Sequence, residues 1–179
     1  MKNLPEIDLG GFLAAPDSPA GRELVRRLRD ACHGPGFCYL TGHGVPPELD
    51  RAIMAAAREF FALPEPERRA LAIANSPHFR GYTMLGGERT RGVSDWREQL
   101  DVGPEEPPAE ASPHDPPWLR LRGPNQWPPS LPAMRPIVLE WMRCMDRVGV
   151  AVLRALALGL GQPATAFDDA VLPRGDPHL

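Results

Sequence analysis

The chain has 179 residues, ample for one domain with a real hydrophobic core and short for two. Its 20 Lys and Arg against 23 Asp and Glu give a net charge of −3 without a basic stripe, which argues against a nucleic-acid partner. Met1-Lys-Asn-Leu-Pro5 lacks the apolar run of a signal peptide. The most apolar segment, 148–160, is shorter than a membrane span and carries Arg154, so a soluble, cytoplasmic protein with no membrane partner is expected.

In chain order, Pro5 to Asp8 reads as a short opening strand. Ser18-Pro19 has the chemistry of an N-cap and first helical residue, and the helix that follows puts Leu24, Leu28, Ala31 and Cys32 on one face. Gly34 and Gly36 end it. The apolar centre Phe37 to Leu40, between Gly and Pro residues, reads as a short buried strand. A second helix is expected from about Pro47 to Ala62, with Leu49, Ile53, Ala56 and Phe60 as its buried stripe. Pro64 stops it, and Glu65 starts a third helix reaching about Ala74. Ser76 to Asp101 is a Gly-containing loop, with a short strand at Glu98–Val102.

Between Pro104 and Pro136, eleven of 33 residues are Pro, a density incompatible with continuous helix or central strand. Trp118, Leu119, Leu121 and Trp127 predict an ordered connection pinned by buried aromatics. The longest helix then runs over about Leu131 to Leu160. Its apolar stripe, Met134, Val138, Trp141, Met145, Val148, Val152 and Ala155, steps by fours and threes. Three cysteines, Cys32, Cys38 and Cys144, show no Cys-x-x-Cys spacing and read as free thiols rather than a zinc site. No Gly-x-Ser-x-Gly or phosphate-cradling motif is present, so no catalytic nucleophile is assigned.

Six segments in order resemble the N-terminal region of the isopenicillin N synthase-like family of non-haem iron oxygenases, most of which use 2-oxoglutarate. They are Leu4-Pro-x-Ile-Asp8, Gly36-Phe37 through His43-Gly44-Val45-Pro46, Phe60-Phe61-x-Leu63-Pro64 with Glu67-Arg68, Arg80-Gly81-Tyr82, Asp95-Trp-Arg-Glu98 and Asn125-Gln-Trp-Pro128. The Gly86-Gly-Glu-Arg-Thr90 stretch is most similar to bacterial members. The resemblance implies an α+β fold, a mainly helical cap with short strands. It divides the chain into a helix and strand cap (1–103), a Pro-rich ordered connection (104–130), a long helix (131–161) and a tail (162–179). It also implies an iron(II) and 2-oxoglutarate chemistry that hydroxylates, desaturates or cyclises a small organic substrate.

The family's metal site, His-x-Asp and a distant second His on a double-stranded β-helix, has no match here: none of the five His is followed two residues later by Asp. His114-Asp115 has the wrong spacing, and His178 is one residue from the last. The expectation is a chain that stops before the jelly-roll core, with no metal ligand, no catalytic residue and no cofactor of its own, inactive alone. Its long-helix stripe, meant for the barrel, would be exposed and favour self-association. A non-enzymatic binding module, pairing with a separate barrel chain or with itself, is the alternative. Arg80 and Tyr82 are the candidate substrate-binding residues, since the family resemblance places this loop near the substrate pocket. The competing reading has Arg80 paired with an acid and Tyr82 packed beneath the loop. His43 is expected to fix its Gly-His-Gly turn, His33 to cap a helix end and His78 to lie in an exposed loop. Arg91, Asp95, Arg97 and Glu98 form a charged surface or loop-anchoring network.

Overall fold

A computed structural model describes residues 4–108 and 114–171. In chain order the first elements are β1 (Glu6–Asp8), α1 (Gly10–Ala14), α2 (Pro19–His33), β2 (Tyr39–Thr41), α3 (Pro47–Ala62) and α4 (Glu65–Ala70). Short strands β3 (Gly81–Thr83), β4 (Arg89–Thr90), β5 (Val93–Ser94) and β6 (Gln99–Asp101) follow, then the helices α5 (Met134–Gly159) and α6 (Asp168–Val171). The result is α+β. The described residues cluster into two compact units, one of residues up to Pro46 with those from Arg143 onward, the other Pro47–Met142.

In the first unit, β1 and β2 pair in parallel, Glu6 with Tyr39 and Asp8 with Thr41. The helix between them starts where the sequence says it should. Ser18 accepts the Gly21 N–H at 3.0 Å, and Pro19 fills the first helical position, where no N–H is needed. Replacing Ser18 by Ala is expected to cost about 1 kcal/mol, read as a lower urea midpoint at constant slope, while Ser18→Thr retains most of it. Gly21 has a steric reason as well: a Cβ there would stand 2.2 Å from the Pro16 carbonyl oxygen. Ile7, Leu9, Phe12, Leu24, Leu28 and Ala31 form the core with Ala151 and Ala155 of α5. Arg154 on α5 forks onto Asp168 of α6, with Nε and Nη2 at 3.2 and 2.8 Å from its two carboxylate oxygens.

The strand predicted at Phe37–Leu40 forms two residues later, and half of it faces solvent. Phe37 and Tyr39 are 72% and 63% exposed, whereas Cys38 and Leu40 pack on the core. The reason is the two-residue period: a strand covered on one face by helices turns only alternate side chains inward. An additional helical turn, α1, precedes α2 where the sequence showed no periodicity.

In the second unit, α3 has the predicted bounds and buries Ala56 and Phe60. The third helix is shorter than expected, ending at Ala70 with a single turn at Ile73–Asn75 beyond it. The loop from Ser76 onward holds more strand than the sequence suggested. β3 and β6 pair antiparallel, Gly81 with Asp101 and Thr83 with Gln99, and β4 and β5 make a hairpin. Its two linking residues, Arg91 and Gly92, have φ of 52° and 83°, the left-handed pair that a tight hairpin needs. The core gathers Ala56, Phe60, Leu71, Tyr82, Met134 and Val138, with Trp127 and Leu100 against it.

Two further expectations change. Trp118 and Leu121 are 60% and 47% exposed and pin nothing. Trp127 does pin the connection as expected, packed on the core with Nε1 donating to Glu105 at 3.1 Å, and Asn125 and Gln126 tie it down further, their side-chain amides supplying donors that prolines lack. Of the long-helix stripe expected to stand exposed, Met134 and Val138 are buried in the second unit's core and Ala155 in the first's, while Trp141, Met145, Val148 and Val152 are half-buried. Cys144 is buried as well. Leu172 and His178 lie outside the described residues, as do residues 109–113 of the connection.

Candidate functional site

Tyr82 comes from β3 and lies in the second unit's core, 4% exposed. Its ring meets Phe60 edge-on, centroids 6.1 Å apart, and the Arg68 guanidinium stands 5.5 Å from its centroid. The hydroxyl donates to Glu98 Oε2 at 2.6 Å. Arg68 Nη1 donates to the same oxygen at 2.7 Å and to the Phe61 carbonyl at 3.0 Å. Glu98 therefore joins α4 to the strand that carries Tyr82. Burial first, then the hydrogen bond and charge of Glu98, raise the phenol above its ordinary pKa.

Arg80 is two residues away, where β3 begins. Among the described residues Arg80 makes no ion pair with an acid, contrary to the competing sequence reading. Its Nη1 donates to the carbonyls of His78 and Phe79 at 3.0 and 3.2 Å, and its Nε is buried without a hydrogen-bond partner. Phe79 takes a left-handed φ of 56°, which curls the loop back over this guanidinium.

The charged cluster divides by role. Glu98 is the anchor just described, whereas Arg97 reaches Glu88 at 2.9 Å and Thr90 donates to Asp95 at 3.0 Å, bracing the hairpin. His43 acts as the turn residue expected, its Nδ1 accepting the Val45 N–H at 3.2 Å. His33 is the last residue of α2, followed by Gly34 at the cap. His78 departs from expectation: it is half-buried, with Nδ1 2.9 Å from the Arg120 carbonyl oxygen and its ring over Gly123. Asn125 and Gln126 are the residues that chemistry alone left unsingled; two amides among prolines were the available signal.

The described residues contain no group of three or more His, Cys, Asp or Glu that could hold a metal ion, so they do not fit an iron centre. Among them, no helix is long and apolar enough to cross a membrane.

Comparison with known proteins agrees with the fold. Residues 4–130 match the family model described as the N-terminal region of the non-haem dioxygenase in morphine synthesis. The 2-oxoglutarate-dependent dioxygenase frbJ of Dothideomycetidae sp. (strain 11243) is 36% identical over 93% of this chain and 44% of its own length. Homoarginine-6-hydroxylase 2-ODD-C23.1 of Arabidopsis thaliana is 28% identical over 99% of this chain and 54% of its own. Among solved structures, a 2OG-Fe(II) oxygenase family protein of Caulobacter crescentus matches with a TM-score of 0.72 at 23% identity, over 94% of this chain and 52% of that one. At that identity the likeness is one of fold. The chain spans about half the length of the relatives it matches. With the family model covering well over half of its residues, the chain belongs to the non-haem dioxygenase N-terminal family.

Proposed function

We propose that this chain serves an iron(II)- and 2-oxoglutarate-dependent oxygenase that hydroxylates, desaturates or cyclises a small organic molecule, as its helical support and substrate-side loop. The carrying observation is the family match over 4–130, which includes the Arg80-Gly81-Tyr82 strand locked onto Glu98. Iron(II) and 2-oxoglutarate supply the oxidising chemistry when bound, and their donors come from outside the described residues. Within this chain, Tyr82 holds β3 to α4 through Glu98 and Arg68. Arg80 offers the substrate a cation at the mouth of that strand.

The test uses the whole gene product that carries this chain, with iron(II), ascorbate and 2-oxoglutarate. Succinate release dependent on an organic substrate is expected. Arg80→Ala should raise KM for that substrate about tenfold, the loss of a charge-assisted contact, with KM for 2-oxoglutarate unchanged. The 179-residue polypeptide alone should release none. Iron-loaded whole protein that never decarboxylates 2-oxoglutarate would overturn the proposal, and so would stoichiometric succinate from the isolated polypeptide.

A further inference from the structure

We infer that Asn125 and Gln126 are positioning residues for Arg80, and through it for the organic substrate. The substrate part rests on the oxygenase reading above; the clasp itself does not. Gln126 Nε2 lies 2.8 Å from the Arg80 carbonyl oxygen, 3.0 Å from that of Ala72 and 3.2 Å from that of Leu71. A primary amide has only two hydrogens, and of the three oxygens that of Leu71 is the farthest and already takes the Tyr82 N–H at 2.7 Å. The two hydrogens therefore serve Ala72 and Arg80, which closes both ends of the 72–80 loop with one side chain.

Gly81 is the residue that permits this approach. Its φ is +132°, and a Cβ there would come within 2.4 Å of both Gln126 Nε2 and the Leu71 oxygen. Glycine is required on both counts.

The other end of Arg80 is held through Gly103. Asn125, 8% exposed, accepts the Gly103 N–H on Oδ1 and donates from Nδ2 to the Gly103 carbonyl, each at 2.8 Å. Its Nδ2 also reaches Glu105 at 2.6 Å. The Arg80 guanidinium lies directly on Gly103: a Cβ added there would sit 2.2 Å from Nη2 and 2.5 Å from Nε. Gln126 thus fixes the backbone of Arg80, and Asn125 fixes the surface on which its side chain rests. An arginine normally surrenders considerable rotamer freedom when it binds, and one already held in place surrenders less.

Gln126→Leu removes both donors at similar volume. In the whole gene product it is expected to raise KM for the organic substrate about tenfold, with kcat within about twofold and KM for 2-oxoglutarate unchanged. Gly103→Ala should raise the same KM, but not when Arg80 is already Ala, because the colliding group is then gone. Two results would overturn the inference: apparent kcat falling in step with the folded fraction while KM for the organic substrate stays at its wild-type value, or additive effects of Gly103→Ala and Arg80→Ala. Amide hydrogen exchange gives a readout independent of turnover. Gln126→Leu should speed exchange at Tyr82 and Asn125→Ala at Gly103, each at least about tenfold. If the wild type turns nothing over, the oxygenase reading fails, yet exchange still decides the clasp, and unchanged rates at both amides would refute it.

Discussion

Replacing Phe60 by Ala is expected to cost about 3–5 kcal/mol, a large share of the net stability of a domain this size. Phe60 is fully buried, and its neighbours come from three directions. Phe61 meets it at 5.1 Å and 81°, Tyr82 at 6.1 Å and 66°, and Met134 and Val138 belong to the same cluster. These neighbours sit on α3, β3 and α5, so no single shift can fill the space left behind. The transfer term and the cavity term therefore both count. Phe60→Leu keeps most of the volume and should cost far less. Urea unfolding followed by near-ultraviolet circular dichroism measures both. A Phe60→Ala cost below about 1 kcal/mol would show that this cluster is not the core it resembles.

Glu98→Ala is the second large effect, expected at about 2–3 kcal/mol. One carboxylate oxygen receives both the Tyr82 hydroxyl and Arg68 Nη1. Removing it leaves a phenol in a 4% exposed site with no acceptor, and leaves a guanidinium that retains only the Phe61 carbonyl. The Arg68 side chain is 16% exposed and that of Glu98 33%, so solvent screens the pair in part and the figure stays below that of a fully buried ion pair. Glu98→Gln keeps an acceptor oxygen and should lose less than half as much. The phenol adds a pH signature. Its pKa is higher folded than unfolded, so its contribution is complete below the ordinary value of about 10. It is lost as pH rises from there through the raised value, because the unfolded chain ionises first. Tyr82→Phe should flatten that alkaline decline, and an identical decline in the two proteins would refute the assignment.

Helices α2 and α3 were legible because their signals are local, whereas α1 gave no periodicity and α4 ended short of its expected bound. Ser18-Pro19 and the apolar steps of α2 and α3 sit within a few residues of one another, and each element begins and ends where caps and prolines place it. Of the strands, β1 and β6 were legible, whereas β3, β4 and β5 were not: they are two or three residues long, too short for a period-two pattern to declare itself, and β3 meets β6 across fifteen intervening residues. Phe37 and Trp118 misled for one reason: an aromatic side chain in an apolar or Pro-rich run looks buried, but burial depends on which face is covered. At the candidate site, Arg80 and Tyr82 could be singled out as a motif. Their separate roles could not, because these depend on Glu98, Gly103 and Gln126, which meet them only in space.

The parallel register of Ile7 on Leu40 carries a consequence for how the chain becomes ordered. Strands running the same way cannot be joined by a tight turn, so β1 must wait until the whole of α2 has reversed the direction of travel. Once they pair, Ile7 is 1% exposed, in one cluster with Leu24 and Leu28 of α2. A strand seated so deeply is a structural member of that unit, and a polar side chain at Ile7 or Leu9 would disturb the helices packed on it as much as the strand itself.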